Sequence, residues 1–146
     1  MNIVKTILIF FFLSPVFIKA QTVFEIKFKV AITQYRGALV LYENGTGSFR
    51  VKYFSDGQTR MVEQQMKVEN TTEGTRLAGY NPVYPGSTTT YPNYNADNFY
   101  LTQDENGVYT CENIDDAGSQ SKCNVREISG SNYVKNIFLK DFNWSL

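Results

Sequence analysis

Residues 21–33 read QTVFEIKFKVAIT, and this stretch decides the fold class. Apolar side chains occupy every second position, and charged side chains fill most of the positions between them. Successive side chains of a β-strand point to opposite faces, so the pattern predicts a half-buried strand with one face toward a core and one toward water. The apolar positions are Phe24, Ile26, Phe28, Val30 and Ile32, and the charged positions are Glu25, Lys27 and Lys29.

The chain that follows repeats short strand patterns between turn sequences rich in Gly, Asn and Asp. These residues reach the positive φ angles that tight hairpin turns need. The predicted turns lie at residues 44–47, 56–57, 73–74, 105–107 and 115–118. About eight strands at spacings of roughly 8–12 residues predict an all-β fold, a single antiparallel barrel or sandwich.

Two interpretations fit residues 132–142, which read NYVKNIFLKDF. Tyr133 and Ile137 have the spacing of a helix face, whereas Val134, Phe138 and Leu139 fit a closing strand equally well. The sequence therefore predicts either a short C-terminal helix or a final strand at this place.

Gln64 interrupts an otherwise apolar strand face formed by Val62, Met66 and Val68. A polar residue at an inward position indicates either a β-bulge or a side chain that points into a polar cavity. Both alternatives stay open at the level of the sequence.

Residues 79–98 read GYNPVYPGSTTTYPNYNADN and are the irregular part of the chain. Proline removes a backbone donor and fixes φ, so the segment is predicted to be a long loop rather than a central strand. Tyrosine combines an apolar face with a hydroxyl, which suits contact with sugars or protein partners. The predicted partner-binding residues are Tyr80, Tyr84, Tyr91 and Tyr94. The alternative is that these tyrosines cap an open end of the barrel or sandwich.

Residues 1–20 have the composition of a secretory signal peptide. Lys5 precedes an apolar run of about twelve residues, which is shorter than the roughly twenty that a membrane-spanning helix needs. Ala20 supplies the small residue before the expected cleavage. The predicted organisation is a signal peptide over 1–20 and one all-β domain over 21–146. The product is expected to be secreted, extracellular or periplasmic, without membrane insertion after cleavage.

Cys111 and Cys123 are the two cysteines of the chain, and the predicted export would place them in an oxidising compartment. They lie symmetrically about the centre of the predicted turn at 115–118, so they are expected to face each other across a hairpin. The sequence predicts a structural disulfide between them. A redox-active pair would have a two-residue spacing and an activating base.

Composition excludes several classes of function. The chain has no histidine, which excludes Ser-His and Cys-His nucleophilic catalysis and histidine-ligated zinc. Its 14 basic and 14 acidic residues balance, and loss of Lys5 and Lys19 with the signal peptide would leave 12 basic residues. This balance argues against a nucleic-acid partner.

Acidic residues cluster in the last third of the chain, but they do not reproduce a calcium-binding loop, and no pair of them is singled out as an acid and a base. No catalytic residue, metal site or cofactor is therefore predicted, and a carboxylate-based hydrolase is the single enzymatic alternative. The acidic residues are Asp97, Asp104, Glu105, Asp115 and Asp116.

These observations favour a secreted, non-enzymatic binding or interaction module that contacts a protein or glycan. The strand count, the signal peptide and the C-terminal helix are similar to lipocalin-like proteins, which implies a carrier of a small apolar ligand inside a barrel. The Gly-x-Trp signature of that family is absent near the first strand, and the single tryptophan is Trp144. A third hypothesis is a structural subunit of an extracellular assembly, which would need an exposed, unpaired strand edge.

Overall fold

The computed structural model describes residues 21–146, so the predicted signal peptide over 1–20 lies outside the described residues. Each strand pairs antiparallel with the next one along the chain, and the last strand pairs with the first, which closes the sheet into a barrel. The sequence left barrel and sandwich open, and the structure is a barrel. The elements are β1 (Thr22–Val30), β2 (Thr33–Leu41), β3 (Thr46–Ser55), β4 (Gln58–Thr71), β5 (Gly74–Val83), β6 (Phe99–Gln103), β7 (Tyr109–Ile114), β8 (Gln120–Glu127) and α1 (Asn132–Lys140).

The first strand is shorter than its alternating pattern predicts. β1 ends at Val30, which pairs with Thr33 at the start of β2. The two residues between them form the turn: Ala31 takes a φ of 52°, and Ile32 is 91% exposed. The prediction of one strand over 21–33 was therefore wrong at its end, because a two-residue turn preserves the period of two and contains no Gly or Asn to mark it.

The charged face of β1 also departs from the prediction at one position. Glu25 is buried, although the alternation placed it toward water. Its carboxylate accepts a hydrogen bond from Arg36 on β2 at 2.9 Å and one from Arg126 on β8 at 3.3 Å. Two arginines on the neighbouring strands thus supply the partners that a buried carboxylate requires.

The inward-facing side chains of all eight strands form one apolar cluster, so the interior of the barrel is packed. Aromatic rings occupy much of it: the Phe99 ring lies 5.0 Å from that of Phe49 and 5.7 Å from that of Phe28, both in edge-to-face contact. Gly37 makes room for this packing, because a Cβ atom there would lie 2.1 Å from Cε2 of Phe49.

Gln64 lies at a β-bulge, and its side chain also points inward to polar groups, so the structure combines the two alternatives that the sequence allowed. The register between β4 and β5 shifts between Glu63 and Gln65, which places a bulge at Gln64. The Gln64 side chain is fully buried, donates through Nε2 to the Asp97 carbonyl at 2.8 Å and accepts at Oε1 from the Asp97 amide at 2.9 Å. Gly79 permits this arrangement, since a Cβ atom there would lie 2.0 Å from Gln64 Nε2.

The C-terminal segment is a helix, and it packs on the outer wall of the barrel. Ser131 caps the N-terminus of α1, accepting a hydrogen bond from the Val134 amide. Leu139 is fully buried, whereas Tyr133 and Ile137 are 74% and 57% exposed. Of the three residues that fitted a strand, the helix buries Leu139 and part of Phe138 against the outer surface of β1 and β2, whereas Val134 stays exposed. The cluster beneath it comprises Val23, Ala38, Val40, Ile128, Leu139 and Phe142.

Arg50 on β3 holds the segment after α1 against the barrel. Its side chain is 11% exposed and pairs with Glu63 on β4 at 2.6 Å. Its Nη1 atom donates to the Phe142 carbonyl at 3.1 Å and to the Asn143 carbonyl at 2.6 Å. The guanidinium also lies 4.9 Å from the centroid of the Trp144 ring. One cation therefore satisfies two carbonyl groups that would otherwise lack donors at the C-terminus of the helix.

Cys111 on β7 and Cys123 on β8 are direct cross-strand partners, as the symmetric spacing predicted. Both are free thiols in the structure, so the predicted disulfide is not formed in it. The hydrogen bond with Cys123 and burial both raise the pKa of the Cys111 thiol. A thiol held in its protonated form is a poor nucleophile, which fits a structural pair better than a reactive one.

We expect mild oxidation of the purified protein to join Cys111 and Cys123, because the two residues are opposed in the register. The link should lower the mass by about 2 Da and raise the free energy of unfolding by roughly 3 kcal/mol. Intact mass spectrometry and urea unfolding before and after treatment with a reductant would measure both changes. A Cys123→Ser variant is the control and should respond to neither treatment. An oxidised wild-type protein that keeps two alkylatable thiols would contradict the prediction.

Candidate functional site

The segment between β5 and β6 covers one end of the barrel. It is shorter than the sequence predicted, because β5 continues to Val83 and the connection spans only residues 84–98. Tyr84 begins a turn in which the Ser87 amide donates to the Tyr84 carbonyl at 3.0 Å. Pro85 and Gly86, the latter with a φ of 72°, occupy the two central positions, as in a type II turn. This connection is therefore a structured element with a defined shape.

A cleft of about 400 Å³ lies between this connection and the ends of β3 and β4. We call it the tyrosine cleft. Five tyrosines line it, with polar side chains at its margin. Its lining residues are Tyr35, Tyr53, Ser55, Asp56, Arg60, Tyr84, Tyr91, Pro92, Asn93 and Tyr94.

The five rings of the tyrosine cleft form a continuous series of contacts. Tyr84 lies 4.7 Å from Tyr91, and Tyr91 lies 6.3 Å from Tyr94, measured between ring centroids. Tyr94 lies 5.9 Å from Tyr53, which lies 5.1 Å from Tyr35. Such spacings are typical of favourable aromatic pairs, so each ring restricts the next. The inner rings pack on the barrel core and the outer ring, that of Tyr84, is 44% exposed.

The Tyr35 and Tyr53 hydroxyl groups of the cleft remain protonated at neutral pH. Burial raises the pKa of Tyr35, and burial followed by the hydrogen bond with Tyr91 raises that of Tyr53. The Tyr53 and Tyr91 hydroxyl oxygens are 3.4 Å apart. At the margin, Arg60 pairs with Asp56 at 3.3 Å. The cleft thus presents hydroxyl groups beside one exposed ion pair.

A buried carboxyl group anchors the connection beneath the cleft. The Tyr94 hydroxyl donates to Asp97 Oδ2, and Asn113 Nδ2 donates to Asp97 Oδ1 at 2.9 Å. Asp97 is 3% exposed, and burial raises the pKa of its carboxyl to about 6. Asn113 Oδ1 is itself buried without a hydrogen-bond partner among residues 21–146. Together with Gln64, these contacts hold residues 94–97 in one position.

The structure brings together three of the four tyrosines that the sequence singled out. Tyr84, Tyr91 and Tyr94 line the tyrosine cleft, whereas Tyr80 lies on β5 outside it and is 46% exposed. Reasoning from the sequence missed the cleft positions of Tyr35 and Tyr53, which are distant in sequence. The one signal in the sequence was that Tyr35 and Tyr53 lie near the ends of predicted strands. That position does not show which other segment each strand end contacts.

Two of the acids of the last third of the chain, Asp104 and Asp115, stabilise the turns in which they lie. Asp115 Oδ1 accepts from the amides of Ala117 and Ser119, both at 2.9 Å. Asp104 Oδ1 accepts from two amides in the turn after β6 in the same way. Within residues 21–146, no group of three or more His, Cys, Asp or Glu side chains is placed to hold a metal ion.

Comparison of the chain with protein-family models, with curated proteins and with solved structures finds no significant match. In the part of the chain described by the structure, no helix has the length and apolarity needed to cross a membrane. The chemistry of the tyrosine cleft is therefore the main indication of function in this molecule.

Proposed function

We propose that this protein is a secreted, non-enzymatic binding module that takes a glycan in the tyrosine cleft. The observation that carries the proposal is the series of five tyrosine rings, with an exposed ring at one end and hydroxyl groups along it. Sugar rings have apolar faces and hydroxyl edges, and tyrosine offers a partner for each. That the protein is secreted is a prediction from the sequence of residues 1–20.

The size and rigidity of the cleft support a small ligand. A volume of about 400 Å³ falls in the range of small-ligand sites, roughly 300–1,000 Å³. The turn at Pro85 and Gly86 and the anchor at Asp97 hold the aromatic groups in place before a ligand arrives. Preorganised groups lose little conformational entropy on binding, which favours affinity. A concave site of this kind suits a sugar chain better than the flat face of a protein.

The two other hypotheses have less support. A carrier of an apolar ligand needs interior space, whereas inward side chains of all eight strands form one packed cluster. A structural subunit that assembles through strand edges needs a free edge, whereas β1 and β8 pair with each other along five register positions. Binding at the end of the barrel requires neither condition.

We expect Tyr84→Ala to weaken glycan binding about tenfold, because it removes the exposed ring of the cleft while the core keeps its contacts. Tyr80→Ala is the matched control, since Tyr80 has a similar exposure and lies outside the cleft. An array of neutral and acidic oligosaccharides, probed with the wild-type protein and both variants, measures the effect. Both variants should unfold within about 0.5 kcal/mol of wild type.

Three results would contradict this assignment. If the protein binds no oligosaccharide on the array, a glycan is not its ligand. If Tyr84→Ala and Tyr80→Ala weaken glycan binding equally, the tyrosine cleft is not the binding site. A secreted protein that co-precipitates with wild type and Tyr80→Ala, and is lost with Tyr84→Ala, would replace the glycan by a protein. Tyr91 is unsuitable as the test residue, because it packs against the core and its removal would also cost stability.

A further inference from the structure

The outer wall of the barrel over β8, β1, β2 and β3 carries a groove of about 620 Å³. Five of its lining side chains are cations, and no acidic side chain lines it. We call these five residues the basic wall: Lys27, Lys29, Arg36, Lys52 and Lys122. The chain as a whole has balanced charges, so the basic wall is a local concentration of positive charge.

The register places three of these cations directly beside one another. Lys27 on β1 is opposite Arg36 on β2, and Arg36 is opposite Lys52 on β3. Neighbouring strands are about 4.8 Å apart, and like charges opposite each other destabilise a sheet. Glu25 and the Phe142 ring give these three cations partners within the fold. Their row would also bind a ligand with regularly repeated negative charges.

Few acids neutralise the basic wall. Glu25 pairs with Lys27 at 3.4 Å and with Arg36 at 2.9 Å, and Arg36 also reaches Asp141 at 3.3 Å. Within residues 21–146, Lys29 and Lys122 form no ion pair, and both are exposed. Positive charge is therefore available to an anionic partner at several points of the groove.

We propose that the basic wall binds a linear polysaccharide that carries carboxylate or sulfate groups. The five cations are spread along the groove over four neighbouring strands, which matches an extended polymer with regularly repeated negative charges. Gln34 and Asn124 line it between the cations and supply hydrogen-bonding groups for sugar hydroxyls. The two aromatic residues that border it, Phe28 and Tyr35, pack with the barrel core, so stacking platforms for nucleic-acid bases are absent from this lining.

The basic wall and the tyrosine cleft are separate sites. Tyr35 lies at the border of both, but none of the five cations of the basic wall lines the cleft. Either site could fail experimentally while the other remains.

The test compares two double variants with the same change in net charge. Lys29→Gln with Lys122→Gln removes the unpaired cations of the basic wall. Lys67→Gln with Arg76→Gln removes two cations of β4 and β5, outside the groove. Titration with dextran sulfate at low ionic strength is expected to show about tenfold weaker binding for the first double variant. The second double variant should stay within about twofold of wild type, and uncharged dextran should not bind.

The outcomes separate the proposal from general charge attraction and from other partners. Equal weakening by both double variants, or no binding of dextran sulfate by wild type, would overturn the proposal. Anionic phospholipid vesicles or single-stranded DNA bound more tightly than dextran sulfate, with the same dependence on Lys29 and Lys122, would assign the groove to that partner instead. Thermal unfolding of each variant confirms that a loss of binding does not arise from a loss of folded protein.

Discussion

Asp97→Asn is expected to stabilise the protein at neutral pH. It should also abolish most of the fall in stability that ionisation of Asp97 causes as the pH rises. Burial raises the pKa of the Asp97 carboxyl to about 6 in the folded state, against about 3.9 in an unfolded chain. Between these values the folded state binds more protons, so the wild-type stability contributed by this group falls as pH rises from about 4 to about 6. Over the whole titration of this carboxyl, the loss in the free energy of unfolding should be about 3 kcal/mol, given 1.36 kcal/mol per pKa unit.

The surroundings of Asp97 explain why its neutral form is favoured. Burial is the main cause of its raised pKa, and the charges of Asp115 and Asp116 add to it. The hydrogen bonds donated by Tyr94 and Asn113 favour the ionised form and offset the effect of burial only in part. The carboxylate has no ion pair with a cation in the described part of the chain. Asn113 Oδ1 has no partner in that part either. An amide at position 97 could donate to Asn113 Oδ1 after rotation of the Asn113 amide, while Tyr94 donates to its oxygen. The substitution therefore removes a buried charge and keeps the hydrogen bonds to Tyr94 and Asn113, while one polar atom of the Asn113 amide stays unpaired within residues 21–146.

Urea unfolding at pH 4, 5, 6 and 7 measures this effect as the difference between the variant and wild type. The difference should grow by about 2 kcal/mol from pH 4 to pH 6 and level off near pH 7. Glu105→Gln, at an exposed acid in the turn after β6, is the control and should show a flat difference. Parallel pH curves for wild type and Asp97→Asn would show that Asp97 titrates normally.

Arg50→Met is expected to destabilise the protein by about 3–5 kcal/mol, the usual cost of removing one partner of a buried ion pair. The substitution keeps the apolar stem but removes the Arg50 donors to the Phe142 and Asn143 carbonyls. It also removes the ion pair of Glu63, which keeps the Gly86 amide as a donor. The segment after α1 should then separate from the barrel wall. Trp144 reports this separation, because it lies against the Arg50 guanidinium and is the single tryptophan of the chain.

Two measurements check the role of Arg50. Urea unfolding gives the stability change, and tryptophan emission in the folded protein should shift to longer wavelength as Trp144 enters water. Arg60→Met is the matched control, since Arg60 pairs with Asp56 at the surface, where ion pairs contribute about 0–1 kcal/mol. Unchanged emission together with a loss below 1 kcal/mol would show that Arg50 does not hold the C-terminal segment.

The sequence indicated where the candidate site lies, but it did not identify all of the residues that form it. Clustered tyrosine and proline residues marked the connection between β5 and β6, and Tyr84, Tyr91 and Tyr94 do line the cleft. Tyr80 is nearby in sequence yet lies outside it. Tyr35 and Arg60 come from strands whose ends meet the connection only after the barrel closes. Proximity of this kind depends on strand order and register, which no local pattern contains.

Local patterns alone determined the all-β fold, the opposition of Cys111 and Cys123, and the positions of most turns. These features depend on a period of two and on the conformational freedom of Gly, Asn and Asp, which are properties of a few consecutive residues. Only the tertiary structure decided that the sheet closes, that α1 buries Leu139 rather than Ile137, and that Asp97 is buried without a cation. Each of these outcomes depends on which distant surface is available to pack against, because burial is set by neighbours that the chain meets only when it folds.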